Sequence, residues 1–159
     1  MNRDWWREDG FHRYEHAESQ RGPAKSLRMQ KQSNHVRVSV IVPTIGRAAS
    51  LRRMLDSLCL QSFKVYEVVV ADGSDTDETA TVVADECWLR AHLRVKRIAI
   101  QPPNAVRQRK AAVAEAGGEY LLFLDDDVVL DSDCIEQMIN LLRQDEGIVG
   151  VFADLKNQS

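Results

Sequence analysis

Three consecutive carboxylates follow an unbroken apolar run in the second half of the sequence. Residues 120–124 carry five large apolar side chains, and Asp125, Asp126 and Asp127 come directly after them. Adjacent carboxylates repel each other, and a hard cation such as Mg²⁺ or Mn²⁺ relieves that repulsion because these ions prefer oxygen ligands. Asp125 and Asp127 are two residues apart, so both face one ion only if the chain bends there. On these residues alone, a metal site and an acidic turn that caps a helix both stay open.

Two further polar clusters could share a site with the three acids. The first is PTIGR at 43–47 and the second is DGSD at 72–75. Each cluster alone is typical of a simple turn. Together they offer an Asp that accepts hydrogen bonds from a base or ribose, and a glycine, Gly73, that lets a ligand approach the backbone closely. A divalent ion on the acids would then neutralise a diphosphate and stabilise it as a leaving group.

The elements that must position these clusters alternate between strand and helix. Short apolar runs predict strands at 38–42, 65–71, 95–100, 120–124 and 148–152. Helical spacing and helix-breaking residues predict helices at 51–58 behind a Ser50 cap, from Thr76 or Asp77 to 89, at 104–116 and at 132–143. This alternation predicts the α/β class: a three-layer, Rossmann-like α/β/α domain with a mostly parallel sheet of about five strands. The clusters fall at strand carboxyl ends, where such folds bind ligands, and the apolar run predicts a strand buried on both faces.

Composition and charge narrow the function classes. The 159 residues suffice for one domain with a sizeable core. A formal net charge of -3 disfavours a general nucleic-acid binder, and no apolar run of transmembrane length occurs. The cysteines Cys59, Cys87 and Cys134 are too far apart for a zinc or disulfide pattern, so we expect reduced thiols. These features predict a cytoplasmic protein, either unattached or peripheral to a membrane.

Residues 1–37 differ in composition from the rest of the chain. They are rich in Arg, Glu, Gln, Ser and His and poor in aliphatic residues, so they cannot bury enough apolar area to offset the entropy of ordering. We therefore expect a flexible N-terminal tail at 1–37, followed by one folded domain at 38–159. An alternative role for the tail is a small docking face, because aromatic residues often anchor interfaces. That face would comprise Trp5, Trp6, Phe11 and Tyr14.

Three motifs, in this order and spacing, resemble the nucleotide-binding half of family two glycosyltransferases, which have the GT-A fold. They are VSVIVPT at 38–44 followed by Arg47, EVVVADGSD at 67–75, and GEYLLFLDDD at 118–127. The resemblance covers residues 38–152. It implies transfer of a sugar from a nucleotide-diphosphate sugar to an acceptor, which is a glycan, a lipid or a protein, usually with inversion at the anomeric carbon.

The resemblance also implies roles for individual residues. Thr44 matches a family position that lies against the nucleotide. Asp72 matches an acid that hydrogen-bonds the base, and Arg107 matches an arginine that lies near the nucleotide. Residues 125–127 match the family's DxD motif, which binds the ribose and the Mg²⁺ or Mn²⁺ on the diphosphate. Within this motif, Asp125 and Asp127 are expected to bind the metal. The set expected to bind the nucleotide sugar is Pro43, Thr44, Arg47, Asp72, Gly73, Ser74, Arg107, Asp125 and Asp126.

Two departures from the family pattern bear on activity. Gln108 and Lys110 stand where the family often has Asn and Gly, so the basic stretch 107–110 could instead be a solvated helix face. The family's general base lies well downstream of the DxD motif, and only a short tail follows 148–152 here. We therefore expect a domain truncated before its acceptor half, which binds the donor and has no assigned base.

Two other function classes stay open. The string at 122–130 also fits the first motif of haloacid-dehalogenase-type phosphatases, in which the first Asp is a nucleophile and the third an acid. That motif normally follows the first strand of its domain, whereas here it follows the fourth predicted strand. The second alternative is a degenerate, non-catalytic nucleotide-binding or interaction module.

Overall fold

The computed structural model describes residues 11–15, 36–145 and 147–153. These form two compact units, one of residues 36–132 and one of 133–145 and 147–153 together with 11–15. The strands are β1 Phe11–Glu15, β2 Val38–Thr44, β3 Glu67–Asp72, β4 Val95–Ala99, β5 Tyr120–Phe123 and β6 Ile148–Ala153. The helices are α1 Ala48–Cys59, α2 Glu78–Val83, α3 Cys87–Arg90, α4 Ala105–Glu115 and α5 Cys134–Leu142.

The larger unit is built around a sheet of four parallel strands. Their spatial order is β4-β3-β2-β5. From β2 the chain moves outward to β3 and β4, and it then returns across the sheet to place β5 on the other side of β2. This reversal makes the carboxyl ends of β2 and β5 the switch point, where open α/β sheets hold ligands. The predicted α/β class with a mostly parallel sheet is confirmed.

Helices cover both faces of this sheet. Helix α4 packs its small residue Ala112 against Ile41, Val69 and Ala71 of the two central strands. Alternate strand residues point to opposite faces, and a right-handed crossover places α1 on the face opposite α4. The buried apolar residues of α1 recur at helical spacing and are Leu51, Met54, Leu55 and Leu58. The core therefore lies on both sides of β2 and β3, whose residues are buried almost throughout.

The fifth predicted strand forms, but it does not join the parallel sheet. Strand β6 pairs antiparallel with β1 in a separate two-stranded sheet, so the parallel sheet has four strands rather than about five. The sequence pattern identifies a strand, whereas its partner is set by residues far away along the chain. Strand β1 lies within residues 1–37, for which the flexible tail stays a prediction. Residues 1–10 and 16–35 of that tail, with Trp5 and Trp6, lie outside the described residues.

Strand β5 is an edge strand, which corrects the expectation of burial on both faces. Within the described residues it pairs with β2 alone. Its side chains Leu121 and Phe123 are exposed, Phe123 by 51%. An apolar run predicts a strand well, but it does not distinguish a central strand from an edge strand.

Two of the predicted helices differ from those in the structure, one by a break and one in its first residue. The stretch predicted as one helix to residue 89 is split into α2 and α3. The split follows from Asp85, whose Oδ1 accepts a hydrogen bond from Cys87 N at 2.9 Å and so starts a new helical turn. Helix α1 begins at Ala48, so Arg47 rather than Ser50 precedes it. The split arises because an Asp side chain that hydrogen-bonds the nearby backbone competes with continuation of the helix.

Helix α4 begins where the sequence predicts. Asn104 Oδ1 accepts a hydrogen bond from Arg107 N at 3.0 Å, which satisfies one of the amide groups that an α-helix leaves without a partner at its start. Among the helices that the structure describes, none combines the length and apolar character that a bilayer span requires.

Candidate functional site

The loops after β2 and β3 are joined side by side at the carboxyl edge of the sheet. Thr44 and Asp72 are the last residues of these strands and pair in register. Gly73 N donates to Thr44 O at 2.9 Å, and Gly46 N donates to Ser74 Oγ at 2.8 Å. Gly46 has φ +62°, in the left-handed region that favours glycine, so the turn after β2 requires this residue type.

The acidic loop after β5 joins the same edge through Thr44. Leu124 N donates to Ile41 O at 3.1 Å, which continues the pairing of β5 with β2 up to the acids. Thr44 Oγ1 donates to Asp126 Oδ2 at 2.7 Å, and both residues are buried. The three loops expected to share a site therefore meet at the switch point between β2 and β5. We call this edge, formed by residues 44–47, 72–75 and 125–127, the rim.

Two arginines form ion pairs with the three carboxylates of the rim. Arg47 bridges two of them, because its Nη1 lies 3.0 Å from Asp126 Oδ1 and its Nη2 lies 2.7 Å from Asp127 Oδ2. Arg109 Nη2 donates to Asp125 Oδ1 at 2.7 Å. The side chains of Asp125 and Asp127 are 64% and 48% exposed, whereas that of Asp126 is buried. Asp126 therefore anchors the acidic loop, and its two neighbours face solvent.

The buried position of Asp126 determines its electrostatics. Burial raises the pKa of this carboxyl above its ordinary value, although the Thr44 hydroxyl and the Arg47 guanidinium both lower it. The charges of Asp127 and Asp125 raise the pKa further. The hydrogen bond to Asp127 and the charge of Asp126 in turn raise the pKa of Arg47. Arg47 is thus a permanent cation on the acidic loop.

Asp72 is fully buried and uses both carboxylate oxygens within the protein. Arg97 Nε donates to Oδ2 at 2.7 Å, and Ser74 N donates to Oδ1 at 2.9 Å. These bonds order the turn after β3 and compensate a charge that would be costly to bury alone. Contact of Asp72 with a base stays a prediction. Arg97 was not among the predicted site residues, and its signal in the sequence is a charged residue among the apolar positions of β4.

Helix α4 brings Arg109 to the rim. Arg109 pairs with Asp125, whereas Arg107 Nη1 donates to Pro102 O at 3.5 Å, near the start of the helix. Residues two apart on an α-helix point in nearly opposite directions, so these two arginines do not share a face. The role predicted for Arg107 stays a prediction. In the sequence, Arg109 stood out only as part of a basic stretch that could be a solvated helix face.

Gln108 ties α4 to the strand ends beneath the rim. This buried side chain donates through Nε2 to Thr44 O and to Ala71 O, at 2.8 Å each. The two carbonyls belong to β2 and β3, so one amide group connects both strands to the helix. In the sequence this position appeared only as a departure from the family pattern, because a polar residue in a basic stretch gives no sign of burial.

Gly73 leaves room for the chain segment that follows β4. A Cβ at this position would lie 2.7 Å from Pro103 Cβ. Gln101 Nε2 donates to Gly73 O at 3.1 Å, which holds the segment against the turn. The close approach that Gly73 permits is therefore made by the protein itself. Pro43 pairs in register with Ala71 and is half-buried just before Thr44.

The exposed acids fit a metal ion that is shared with a phosphate ligand. Mg²⁺ is usually held by one or two carboxylates together with substrate phosphates and water, rather than by a complete protein cage. Asp125 and Asp127 offer exposed carboxylate oxygens, which Mg²⁺ and Mn²⁺ both prefer. In the part of the chain that the structure describes, no three acidic, His or Cys side chains are grouped to hold an ion. Asp125 and Asp127 are the residues of the rim that would hold such an ion.

Comparison with known sequences agrees with the motifs. The model of Glycosyl transferase family 2 matches residues 39–159. A curated relative from Campylobacter jejuni, the GalNAc(5)-diNAcBac-PP-undecaprenol beta-1,3-glucosyltransferase, is 31% identical over 122 residues, which cover 74% of this chain and 38% of the relative. The acidic motif thus belongs to a glycosyltransferase pattern rather than to the phosphatase pattern considered above.

Comparison with solved structures gives the same result. TarS 1–349 of Staphylococcus aureus in complex with UDP matches with a TM-score of 0.61 and 28% identity, over 69% of this chain and 32% of that chain. The mannosyltransferase PcManGT of Pyrobaculum calidifontis, in complex with GDP-Man and Mn²⁺, matches with a TM-score of 0.58 and 28% identity, over 67% and 32%. This chain spans 32% to 38% of the length of these relatives. With a GT-A fold and a family model that matches most of its length, the chain belongs to glycosyl transferase family 2.

Proposed function

We propose that this chain binds the nucleotide-diphosphate sugar that serves as donor in an inverting sugar transfer. The observation that carries the proposal is the rim, where the exposed carboxylates Asp125 and Asp127 each lie beside an arginine at the switch point of the sheet. Family membership supports it, as do two structural neighbours, one solved with UDP and the other with GDP-Man and Mn²⁺.

The loops after β2 and β3 would hold the nucleoside part of the donor. Thr44 and Ser74 lie on adjacent strand ends, and Ser74 bonds Gly46 N across the two loops, so these loops form one surface. Asp72 would contact a base only by exchanging one of its present hydrogen bonds, to Arg97 or to Ser74 N. The residues that we assign to nucleoside binding are Pro43, Thr44, Asp72, Gly73 and Ser74.

The arginines and the acidic loop would hold the diphosphate. Arginine forks match phosphate oxygens in a bidentate geometry, and Arg47 and Arg109 already lie at the acids. Arg107, at the start of α4, and Asp126 complete the donor-binding set that we propose. Asp125 and Asp127 would hold Mg²⁺ or Mn²⁺. When bound, this ion neutralises the diphosphate and so stabilises the leaving group.

Donor binding is the part of the reaction that we assign to this chain. An inverting transfer also requires a base that deprotonates the acceptor hydroxyl, and such a base contributes roughly 100- to 10,000-fold in rate. We assign no residue of this chain to that base. The acceptor class, a glycan, a lipid or a protein, is likewise left open by the proposal.

Calorimetric titration of the full chain with UDP and with GDP, each with and without Mn²⁺, tests the proposal. We expect at least one nucleotide to bind, and to bind about 10-fold more tightly with Mn²⁺, a typical coupling between two ligands. Asp127→Asn should remove that Mn²⁺ dependence because it removes an ionised carboxylate from the rim.

A matched variant controls for the loss of charge. Asp133→Asn changes another carboxylate, which accepts a hydrogen bond from Gln137 near the start of α5, and it should leave nucleotide binding unchanged. If the wild-type chain binds neither UDP nor GDP in either condition, the donor-site proposal fails, and the alternative of a degenerate, non-catalytic interaction module is favoured instead.

A further inference from the structure

We propose that Arg47 makes metal binding and diphosphate binding interdependent, because its guanidinium and a divalent cation compete for the carboxylate of Asp127. This inference rests on the proposed donor site and adds a specific role for one residue of it. The competition follows from one contact, because Arg47 Nη2 lies 2.7 Å from Oδ2 of Asp127, a carboxylate that we assign to the ion. Arg47 Nη1 lies 3.0 Å from Asp126 Oδ1, which keeps the guanidinium beside that carboxylate.

The position of Arg47 lets its side chain change partners while its backbone stays fixed. Arg47 directly precedes α1, and its carbonyl accepts a hydrogen bond from Leu51 N at 3.0 Å, which anchors it to the first helical turn. Its side chain is 50% exposed, so rotation of the guanidinium towards solvent meets little packing resistance. Asp126 would keep its hydrogen bond from Thr44 Oγ1 throughout, so the acidic loop does not depend on Arg47 alone.

The charges at the rim determine the direction of the coupling. A divalent cation on Asp127 displaces the Arg47 fork from that carboxylate and is repelled by the guanidinium nearby. A diphosphate reverses this effect, because its oxygens offer the displaced guanidinium a charge-assisted, bidentate partner. The metal alone therefore binds weakly, and the metal together with a diphosphate binds well. Coupling of this kind is reciprocal, so the diphosphate also binds better with the metal.

The two arginines of the rim hold their carboxylates differently. Arg109 donates to Asp125, the other carboxylate that we assign to the ion, whose side chain is 64% exposed. Arg47 instead spans a buried and an exposed carboxylate with both ends of its fork. A lysine cannot reproduce that bridge, because its ammonium is a single point charge. Replacement by lysine therefore separates the bridging geometry from the positive charge.

The experiment measures binding of Mn²⁺ to the full chain, from the loss of the electron paramagnetic resonance signal of hydrated Mn²⁺, with and without saturating UDP or GDP. The variants are Arg47→Gln, Arg47→Lys and the control Arg53→Gln. Arg53 lies on α1 and donates to Ser50 Oγ, so its replacement removes one positive charge without touching the acids.

We expect the nucleotide to increase the Mn²⁺ affinity of the wild-type chain about 10-fold, within the usual range of coupling between two sites. Arg47→Gln should bind Mn²⁺ alone more tightly than wild type, bind the nucleotide more weakly, and lose most of the coupling. Arg47→Lys should keep part of the nucleotide affinity and show intermediate coupling, and Arg53→Gln should match wild type.

Two outcomes separate this inference from the donor-site proposal. If the wild-type chain binds the nucleotide with Mn²⁺ but Arg47→Gln and Arg47→Lys both keep wild-type Mn²⁺ affinity and coupling, the role of Arg47 is refuted and the donor site stands. If the wild-type chain binds no nucleotide, both fall. Circular dichroism melting of each variant establishes that it is folded, and Arg47→Lys carries the test if Arg47→Gln does not fold.

Discussion

Thr44 donates its hydroxyl to Asp126 Oδ2 at 2.7 Å, across 82 positions of sequence. Both residues are buried. Thr44 ends β2 and Asp126 lies in the loop after β5, the parallel neighbour of β2 across the switch point. A hydrogen bond to a buried carboxylate is stronger than one between neutral groups. This contact therefore fixes the acidic loop relative to the loop after β2, and it leaves Asp125 and Asp127 exposed on either side of a fixed centre.

Thr44→Val should destabilise the protein and weaken donor binding, because it keeps the shape of the side chain but removes the donor to Asp126. We expect the free energy of unfolding to fall by about 1.5–3 kcal/mol, the usual contribution of a hydrogen bond to a charged group. The affinity for UDP or GDP with Mn²⁺ should fall with it. Urea denaturation and calorimetric titration measure the two effects.

Two further variants test whether the hydroxyl of Thr44 causes these losses. Thr44→Ser keeps the hydroxyl and should retain most of the stability and affinity. Thr81→Val is the matched control, because Thr81 donates to Asp77 O on the exposed side of α2. An unfolding free energy for Thr44→Val equal to that of Thr81→Val would show that the contact with Asp126 contributes nothing.

Gln108→Met should loosen the base of the rim, because methionine fills a similar volume without an amide donor. The carbonyls of Thr44 and Ala71 would lose the group that now donates to both at 2.8 Å. A buried acceptor left without a partner costs about 1–3 kcal/mol, so we expect a loss of stability in that range by urea denaturation. Gln137→Met, at an exposed position on α5, is the control and should change stability by less than about 0.5 kcal/mol.

Glu67 makes stability depend on pH in the acidic range. Its Oε1 accepts hydrogen bonds from Gly117 N at 2.7 Å and Ser39 Oγ at 2.9 Å, and Lys96 Nζ lies 3.1 Å from Oε2. Burial would raise the pKa of Glu67, but these hydrogen bonds and the charge of Lys96 outweigh burial, so its pKa is lowered. A carboxyl with a lowered pKa stabilises the fold above its unfolded pKa of about 4.3, and this stabilisation is lost as pH falls through the folded value.

Glu67→Gln should therefore lower stability at pH 7 and flatten its pH dependence. The wild-type free energy of unfolding should decrease as pH is lowered from about 5, and the variant should show a smaller decrease over the same range. Urea denaturation at a series of pH values measures both slopes. Glu119→Gln, which changes an exposed carboxylate 3.5 Å from Arg37, should keep the wild-type slope. Equal slopes for wild type and Glu67→Gln would contradict the prediction.

Gly118→Ala should destabilise the entry into β5 more than the same change one residue earlier. A Cβ at Gly118 would lie 2.6 Å from Ser39 N and 2.9 Å from Arg37 O, so the backbone itself must shift. We expect a cost of about 1–3 kcal/mol, as for overpacking of a core. At Gly117 the nearest atom, Tyr66 Cε1, lies at an ordinary 3.4 Å, so Gly117→Ala is the control. Thermal melting measures the stability of the two variants, and equal melting midpoints would refute the predicted difference.

The sequence by itself determined the α/β class, most of the helices and strands, and the three polar clusters at strand ends. These features are local or depend only on order: strand and helix periodicity are read within one segment, and the carboxyl ends of parallel strands necessarily share an edge. That argument was enough to place Thr44, Asp72 and Asp127 on one rim.

Only the tertiary structure decided which side chains meet there. The pairing of β6 with β1, the exposed edge position of β5, and the choice of Arg109 over Arg107 at the acids all depend on neighbours remote in sequence. The same is true of the bonds from Arg97 to Asp72 and from Gln108 to two strand ends. A side chain's partners follow from the packing of whole elements, and no periodicity within a single segment specifies them.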